Sequence, residues 1–143
     1  RYGETDCMGR VHHRNFLSYF ELARVELMRE CGFSYAKVES EDGCYLPVFK
    51  TGLTYRAAAR FDDELEIHAA VADFSYVRLT FQYDVRRLHD NVLCAEGYTV
   101  LAAVDHRGEP RKLPADLLEY LQGLPLPPEQ ERRKMRVRAG GNR

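Results

Sequence analysis

Hydrophobic and polar positions change period along this chain, and each period predicts an element. From about Asn15 the residues Phe16, Phe20, Ala23 and Leu27 follow spacings of four, three and four, with Cys31 next, which makes one apolar stripe of a helix. Ser18, Glu21, Arg24 and Arg29 fall mostly off that stripe, and Gly32 is placed to stop the helix. Ahead of the helix, residues 1–6 read as the end of a strand. Behind it, residues 35–45 are polar and contain Gly43, which predicts an irregular connection with room for a short helix.

The period then becomes two. LPVFKTGLTYRAAARF reads as a long strand interrupted near Arg56 to Arg60, FDDE as a turn, and LEIHAAVADFS as the next strand. VRLTFQYDVRR is the clearest strand: Val77, Leu79, Phe81, Tyr83 and Val85 face one way, and Arg78, Thr80, Gln82, Asp84 and Arg86 the other. HDN turns the chain, VLCAEGYTVLAAVD is a last long strand, and HRGEP turns again. A short helix is predicted from Pro114 to Gln122. The order is strand, long helix, then four antiparallel strands, with no internal repeat, which argues α+β rather than alternating parallel units. The partly polar outer face and the long sheet edges lean toward a homo-oligomer.

Composition narrows the function classes. A chain of 143 residues with 45% hydrophobic and 30% charged residues fits one globular domain. Its formal net charge of -1 gives no general pull toward nucleic acid or membrane. No apolar run approaches membrane-spanning length. Nothing at the start has the shape of a secretion signal, and the chain opens at Arg1 rather than Met, as a trimmed chain or a fragment does. Cys7, Cys31, Cys44 and Cys94 show no CxxC spacing, so we expect reduced thiols, no structural zinc and a cytoplasmic location, with Cys31 and Cys94 as small buried hydrophobes. Beyond LPLPP the chain is EQERRKMRVRAGGNR, a charged tail.

The candidate chemistry sits in ETDCMGRVHHRNFL. Asp6 closes the first strand, Gly9 permits a positive-φ turn, and the helix begins some residues later. Free N–H groups and the dipole at a helix start suit a developing oxyanion, and Asp6 then serves as nucleophile or as general base toward water. On residue types alone, Asp6 is as readily a turn-closing residue, and His12 and His13 as readily surface histidines. Adjacent His residues have poor geometry for one metal, and no third ligand stands at zincin spacing, so no metal is expected.

The segment RYGETDCMGRVHHRNFLSYFELARVELMRECG resembles the opening of hotdog-fold acyl-CoA thioesterases, in particular the 4-hydroxybenzoyl-CoA thioesterase family and its subgroup associated with the bacterial Tol–Pal system. The matching positions are Asp6, Gly9, His13, Asn15, Phe16, and then Phe20, Glu21, Ala23, Arg24 and Glu26. The likeness continues in YLPVFKTGLTYRAAARFDDELEI, LTFQYDVRR and AEGYTVLAAVDHRGEPRKLP, up to about Leu118. It implies a hotdog domain over residues 1–123, with one central helix wrapped by an antiparallel five- or six-stranded sheet, and a charged tail over 124–143. It implies Asp6 as the catalytic carboxylate, Tyr2 as the strand tyrosine near it, and His13 as the active-site histidine whose backbone N–H polarises the thioester carbonyl. Asn15 matches a motif residue at the helix start, for which capping is the first expectation. His12 departs from a common aromatic and Met8 from a small residue, which alters the walls of the acyl pocket.

The resemblance further implies hydrolysis of acyl-CoA to free acid and CoA, with no cofactor beyond the substrate's own CoA. It also implies homodimers sharing one continuous sheet, often as homotetramers, with sites at the dimer interface. Arg56, Arg60, Arg78 and Lys112 are the candidates for the CoA phosphates, each weighed against a plain solvated charge. Two alternatives stay open: a thioesterase acting on acyl carrier protein, and a hotdog domain that binds acyl-CoA without cleaving it.

Overall fold

In a computed structural model of the chain, residues 1–126 are described. The elements are α1 (Asn15–Glu30), α2 (Tyr35–Asp42), β1 (Val48–Tyr55), β2 (Leu65–Phe74), β3 (Arg78–Arg87), β4 (Val92–Ala102) and α3 (Ala115–Gln122). The four strands form one antiparallel sheet in the order β1-β4-β3-β2. All four predicted long strands and both short helices are present.

Residues 1–6 are not a strand. Tyr2–Glu4 is a 3-10 turn, and Thr5 makes one isolated bridge to Val11, so among the described residues the sheet has four strands rather than five or six. The chain turns back at Gly9 before a ladder can extend, which limits residues 4–12 to a hairpin of one bridge.

Turn chemistry sets the strand ends. Ser75 Oγ accepts from the N–H groups of Val77 and Arg78 between β2 and β3. Asp90 accepts from Val92 N–H and holds the Arg87 guanidinium between β3 and β4. That pair draws the Asp90 carboxyl down to about 2. Alternation on β3 is as predicted: Leu79, Phe81, Tyr83 and Val85 are buried, and with Ala95, Thr99 and Leu101 of β4 they form the floor on which α1 lies.

The buried face of α1 is rotated from the predicted stripe. Phe16, Phe20, Arg24 and Met28 are buried at a steady spacing of four, while Ala23, Leu27 and Cys31 are only partly covered. Phe20 stacks on Tyr83 with ring centroids 4.3 Å apart. This close approach needs Gly97, because a Cβ there would meet the Gly52 carbonyl at 2.4 Å and the Phe20 ring at 2.7 Å. Arg24 belongs inside because its guanidinium has partners there. Nε donates to the Tyr35 hydroxyl at 3.0 Å, and Nη1 reaches the Tyr83 and Thr99 hydroxyls at 3.3 and 3.5 Å. Burial works to lower the pKa of Arg24, but the Tyr83 and Tyr35 contacts outweigh it and the cation is held above its usual value. Past Glu30 the helix ends in a Schellman arrangement, with Phe33 N–H on the Met28 carbonyl and Gly32 N–H on the Arg29 carbonyl.

All four cysteines are free. Cys44 and Cys94 are buried as small hydrophobes, Cys7 is exposed, and Cys31 is half-buried and accepts a hydrogen bond from the Tyr120 hydroxyl at 3.0 Å. Among the described residues no helix is long and apolar enough to cross a membrane. Of the tail predicted over 124–143, residues 127–143 lie outside the described residues.

Candidate active site

The segment from Glu4 to His12 folds back on itself. Asp6 N–H donates to the Arg10 carbonyl at 2.8 Å, His12 N–H to the Glu4 carbonyl at 2.8 Å, and the Thr5–Val11 bridge lies between them. Gly9 makes the return with φ of 68°, and its N–H closes on the Asp6 carbonyl at 2.9 Å. Asp6 Oδ1 accepts from Met8 N–H at 2.9 Å and Arg10 N–H at 3.3 Å. Oδ2 has no hydrogen-bond partner among the described residues. One oxygen thus fixes the direction of the carboxylate, and the other is available to take a proton or attack a carbon.

The amides leading into α1 can be accounted for one at a time. Val11 N–H donates to the Ala59 carbonyl, His12 N–H to Glu4, Asn15 N–H to the His12 carbonyl and Phe16 N–H to the His13 carbonyl. Arg14 N–H donates to His12 Nδ1 at 3.3 Å. Of the amides from Val11 to Phe16, His13 N–H alone lacks an acceptor among the described residues. It stands immediately before the N-cap Arg14 of a helix of 16 residues, where the helix dipole is positive. That is a donor with a free direction and a favourable field.

The predicted site residues divide into two groups. Asp6, Gly9, His12, His13 and Asn15 gather on this hairpin and helix start. No hydrogen bond joins Asp6 directly to His12 or His13 among the described residues. Asn15 does not cap α1, which has no side-chain cap; instead its Nδ2 donates to the Glu4 carbonyl at 2.7 Å and ties the hairpin to the helix. The His12 imidazole accepts from the amide of Arg14, the residue just before the helix. The His13 ring is exposed, lies 4.2 Å from His12 and meets Tyr55 edge-on.

Tyr2 is 78% exposed and packs edge-on against Phe61, making no hydrogen bond to Asp6. Arg56 is paired with Glu96 at 2.6 Å. Arg78 lies over the Phe49 ring, and Lys112 over Tyr76. Register places Arg78 opposite Ala102 while Tyr55 is opposite Ala95, so within one chain Arg78 stands at the far end of the sheet from the hairpin. Arg60 follows Ala59, the residue that holds Val11, and its guanidinium makes no ion pair or hydrogen bond among the described residues.

Two contributors carry no local signal. Tyr55 donates its hydroxyl to the His13 carbonyl at 3.1 Å, across 42 residues of sequence. Tyr19 lies beside Glu4, and burial together with the Glu4 charge pushes its hydroxyl up to about 12. Both hydroxyls are polar groups on apolar-looking positions, which pattern alone files as core or surface aromatics.

Two clefts lie among the described residues, and the second begins at Tyr19, beside the Glu4 end of the hairpin. One of about 400 Å³ is lined by Glu39, Tyr45, Leu46, Pro47, Val104 and Asp105, and one of about 370 Å³ runs between α1 and β2 over Leu22, Ala23, Leu27, Ile67 and Ala69. Among the described residues no three His, Cys, Asp or Glu side chains converge as metal ligands.

Comparison with known proteins fits this geometry. Residues 1–129 match the family described as the thioesterase-like superfamily. The chain is 30% identical over 118 residues to the Escherichia coli O157:H7 protein named acyl-CoA thioester hydrolase YbgC, covering 82% of this chain and 87% of that one. It is similar in structure to the hypothetical protein TT1821 from Thermus thermophilus, with a TM-score of 0.77 at 40% identity over 85% of this chain and 92% of that one. A DHNA-CoA thioesterase from Staphylococcus aureus shares the fold, with a TM-score of 0.80 at 24% identity over 100% of this chain and 91% of that one. The hotdog architecture and the match over nearly the whole chain place this protein in the thioesterase-like superfamily.

Proposed function

We propose that this chain hydrolyses acyl-CoA thioesters to the free acid and CoA, with Asp6 as the reacting carboxylate and His13 N–H as the carbonyl donor. The observation that carries the reading is the one amide from Val11 to Phe16 without an acceptor among the described residues, His13 N–H, directly after a hairpin whose Asp6 carboxylate has one oxygen without a partner among them.

The chemistry follows from those two groups. The thioester carbonyl oxygen accepts from His13 N–H. As general base, Asp6 Oδ2 takes a proton from water while the hydroxide adds to the carbonyl carbon. The oxyanion develops against the amide and the positive end of α1, where a preorganised donor contributes about 3 kcal/mol. Collapse breaks the C–S bond, and the departing thiolate takes the proton back from Asp6. As nucleophile, Asp6 instead adds to the carbonyl carbon and expels the thiolate, and water then hydrolyses the mixed anhydride. In this reading the exposed His13 imidazole assists either route.

The catalytic unit of this reading is a homodimer. Among the described residues β1 pairs only with β4, which leaves its other edge open there, and Val48, Phe49 and Tyr55 on it are exposed. An open edge of that length invites the same strand of a second copy. Arg60 is the cation best placed to meet a CoA phosphate, being near the hairpin and without an ion-pair partner among the described residues.

The test is a panel of acyl-CoA substrates of varied chain length and aromatic content, read by thiol release. Turnover on at least one of them is expected. Tight binding of acyl-CoA with no thiol released from any of them would instead make the domain a binder.

A further inference from the structure

The peptide that follows His13 is held from both sides. Its N–H, on Arg14, donates to His12 Nδ1. Its carbonyl, on His13, accepts the Tyr55 hydroxyl at 3.1 Å and, more weakly, Phe16 N–H at 3.4 Å. His13 N–H belongs to the preceding peptide, which meets this one at the His13 Cα, so holding the His13 carbonyl fixes one side of the joint from which that N–H is presented. The Tyr55 hydroxyl comes from the last residue of β1, on the sheet rather than the loop. Its ring is fixed by edge contacts with Phe16 at 5.5 Å and His13 at 6.5 Å. A tyrosine hydroxyl is protonated through the neutral range, and partial burial moves the pKa of Tyr55 further up, so it remains a donor.

We propose that Tyr55 is a positioning residue for the thioesterase reaction, its hydroxyl clamping the His13–Arg14 peptide so that His13 N–H is aimed at the substrate carbonyl oxygen. This rests on the acyl-CoA hydrolase reading above. The hydroxyl does not touch substrate and gives no proton to it. Its effect is on the direction of a donor, which matters most when the oxyanion forms and little when the substrate merely binds. A loop carbonyl anchored to a strand is also held more firmly than one anchored within its own loop, which is why the long-range bond carries the role.

The test is Tyr55→Phe, which keeps both ring contacts and removes one oxygen. On the acyl-CoA that the wild type hydrolyses fastest, kcat is expected to fall about 10- to 100-fold, the range for a misaimed donor, while KM changes less than about threefold. A second readout uses a non-hydrolysing background. In Asp6→Asn, the infrared carbonyl stretch of bound acyl-CoA reports polarisation by the His13 amide. Adding Tyr55→Phe to that background is expected to move the band back toward the value of the free thioester.

Wild-type kcat in Tyr55→Phe, a loss confined to KM, or an unmoved carbonyl band would overturn the assignment while leaving the hydrolase reading intact. A kcat loss that only tracks a smaller folded fraction by circular dichroism would overturn it as well. No thiol release by the wild type on any acyl-CoA would overturn the underlying reading, and this assignment with it.

Discussion

Replacing Arg24 separates packing from charge in the interior of this fold. Arg24 is 8% exposed, and its guanidinium has hydroxyls rather than a carboxylate as hydrogen-bond partners. Arg24→Ala removes two methylenes from the core, at about 0.8 kcal/mol each. It also takes away the donor to the half-buried Tyr35 hydroxyl, and an orphaned hydroxyl there costs about 1 kcal/mol. Tyr83 and Thr99 lose little, because their hydroxyls bond each other at 2.7 Å with or without the cation. Relief of the buried charge offsets part of the loss. The expected destabilisation is therefore about 2 kcal/mol for Arg24→Ala. Arg24→Met refills the apolar volume and leaves only the Tyr35 hydroxyl unpaired, so about 1 kcal/mol is expected. Urea unfolding followed by far-ultraviolet circular dichroism measures both at fixed protein concentration. Equal losses in the two variants would refute this reasoning, because the guanidinium contacts, not the filled volume, would then dominate.

Other outcomes follow from the same contacts. Gly97→Ala should destabilise by at least about 2–3 kcal/mol, because the new methyl meets the Gly52 carbonyl and the Phe20 ring at once, and thermal unfolding reads it. Alkaline pH should weaken the fold: burial holds Tyr35 up to about 12, while an unfolded tyrosine ionises near 10. Between those values the unfolded chain has lost the proton that the native chain keeps, so stability is full below 10 and falls as pH rises toward 12. Urea midpoints across that range check the sign, and Tyr35→Phe should flatten the fall. Arg24→Met should steepen it, since the Arg24 charge draws the Tyr35 pKa downward.

The strands were legible because period two is a local signal and every strand has one face on the core. The position of α1 was legible, but its rotation was not. The helical pattern puts Arg24 off the apolar stripe, yet its hydroxyl partners on β3 and β4 lie 59 and 75 residues away, where no helical pattern reaches. The opening six residues read as a strand because Gly9 signals a turn but not that the returning chain pairs through a single bridge. At the site, the residue types of the hairpin and helix start pointed to a carboxylate and a donor cluster. The resemblance points to the His13 amide as the donor, but the residue pattern alone does not show which amide is left free, since the acceptors that satisfy its neighbours are the Ala59 and Glu4 carbonyls and the His12 ring. Asn15 was assigned to capping from its type, but the nearby Glu4 carbonyl takes its side chain instead.

The most direct measurement is the turnover number of Asp6→Asn on the best acyl-CoA substrate, beside the wild type and at matched folded fraction. The carboxamide keeps an oxygen for the Met8 and Arg10 amides but can neither take a proton from water nor attack the carbonyl carbon. The expected result is a kcat reduced by at least about a thousandfold with the fold intact. A kcat within a few-fold of the wild type would mean that the carboxylate on this hairpin is not the reacting group.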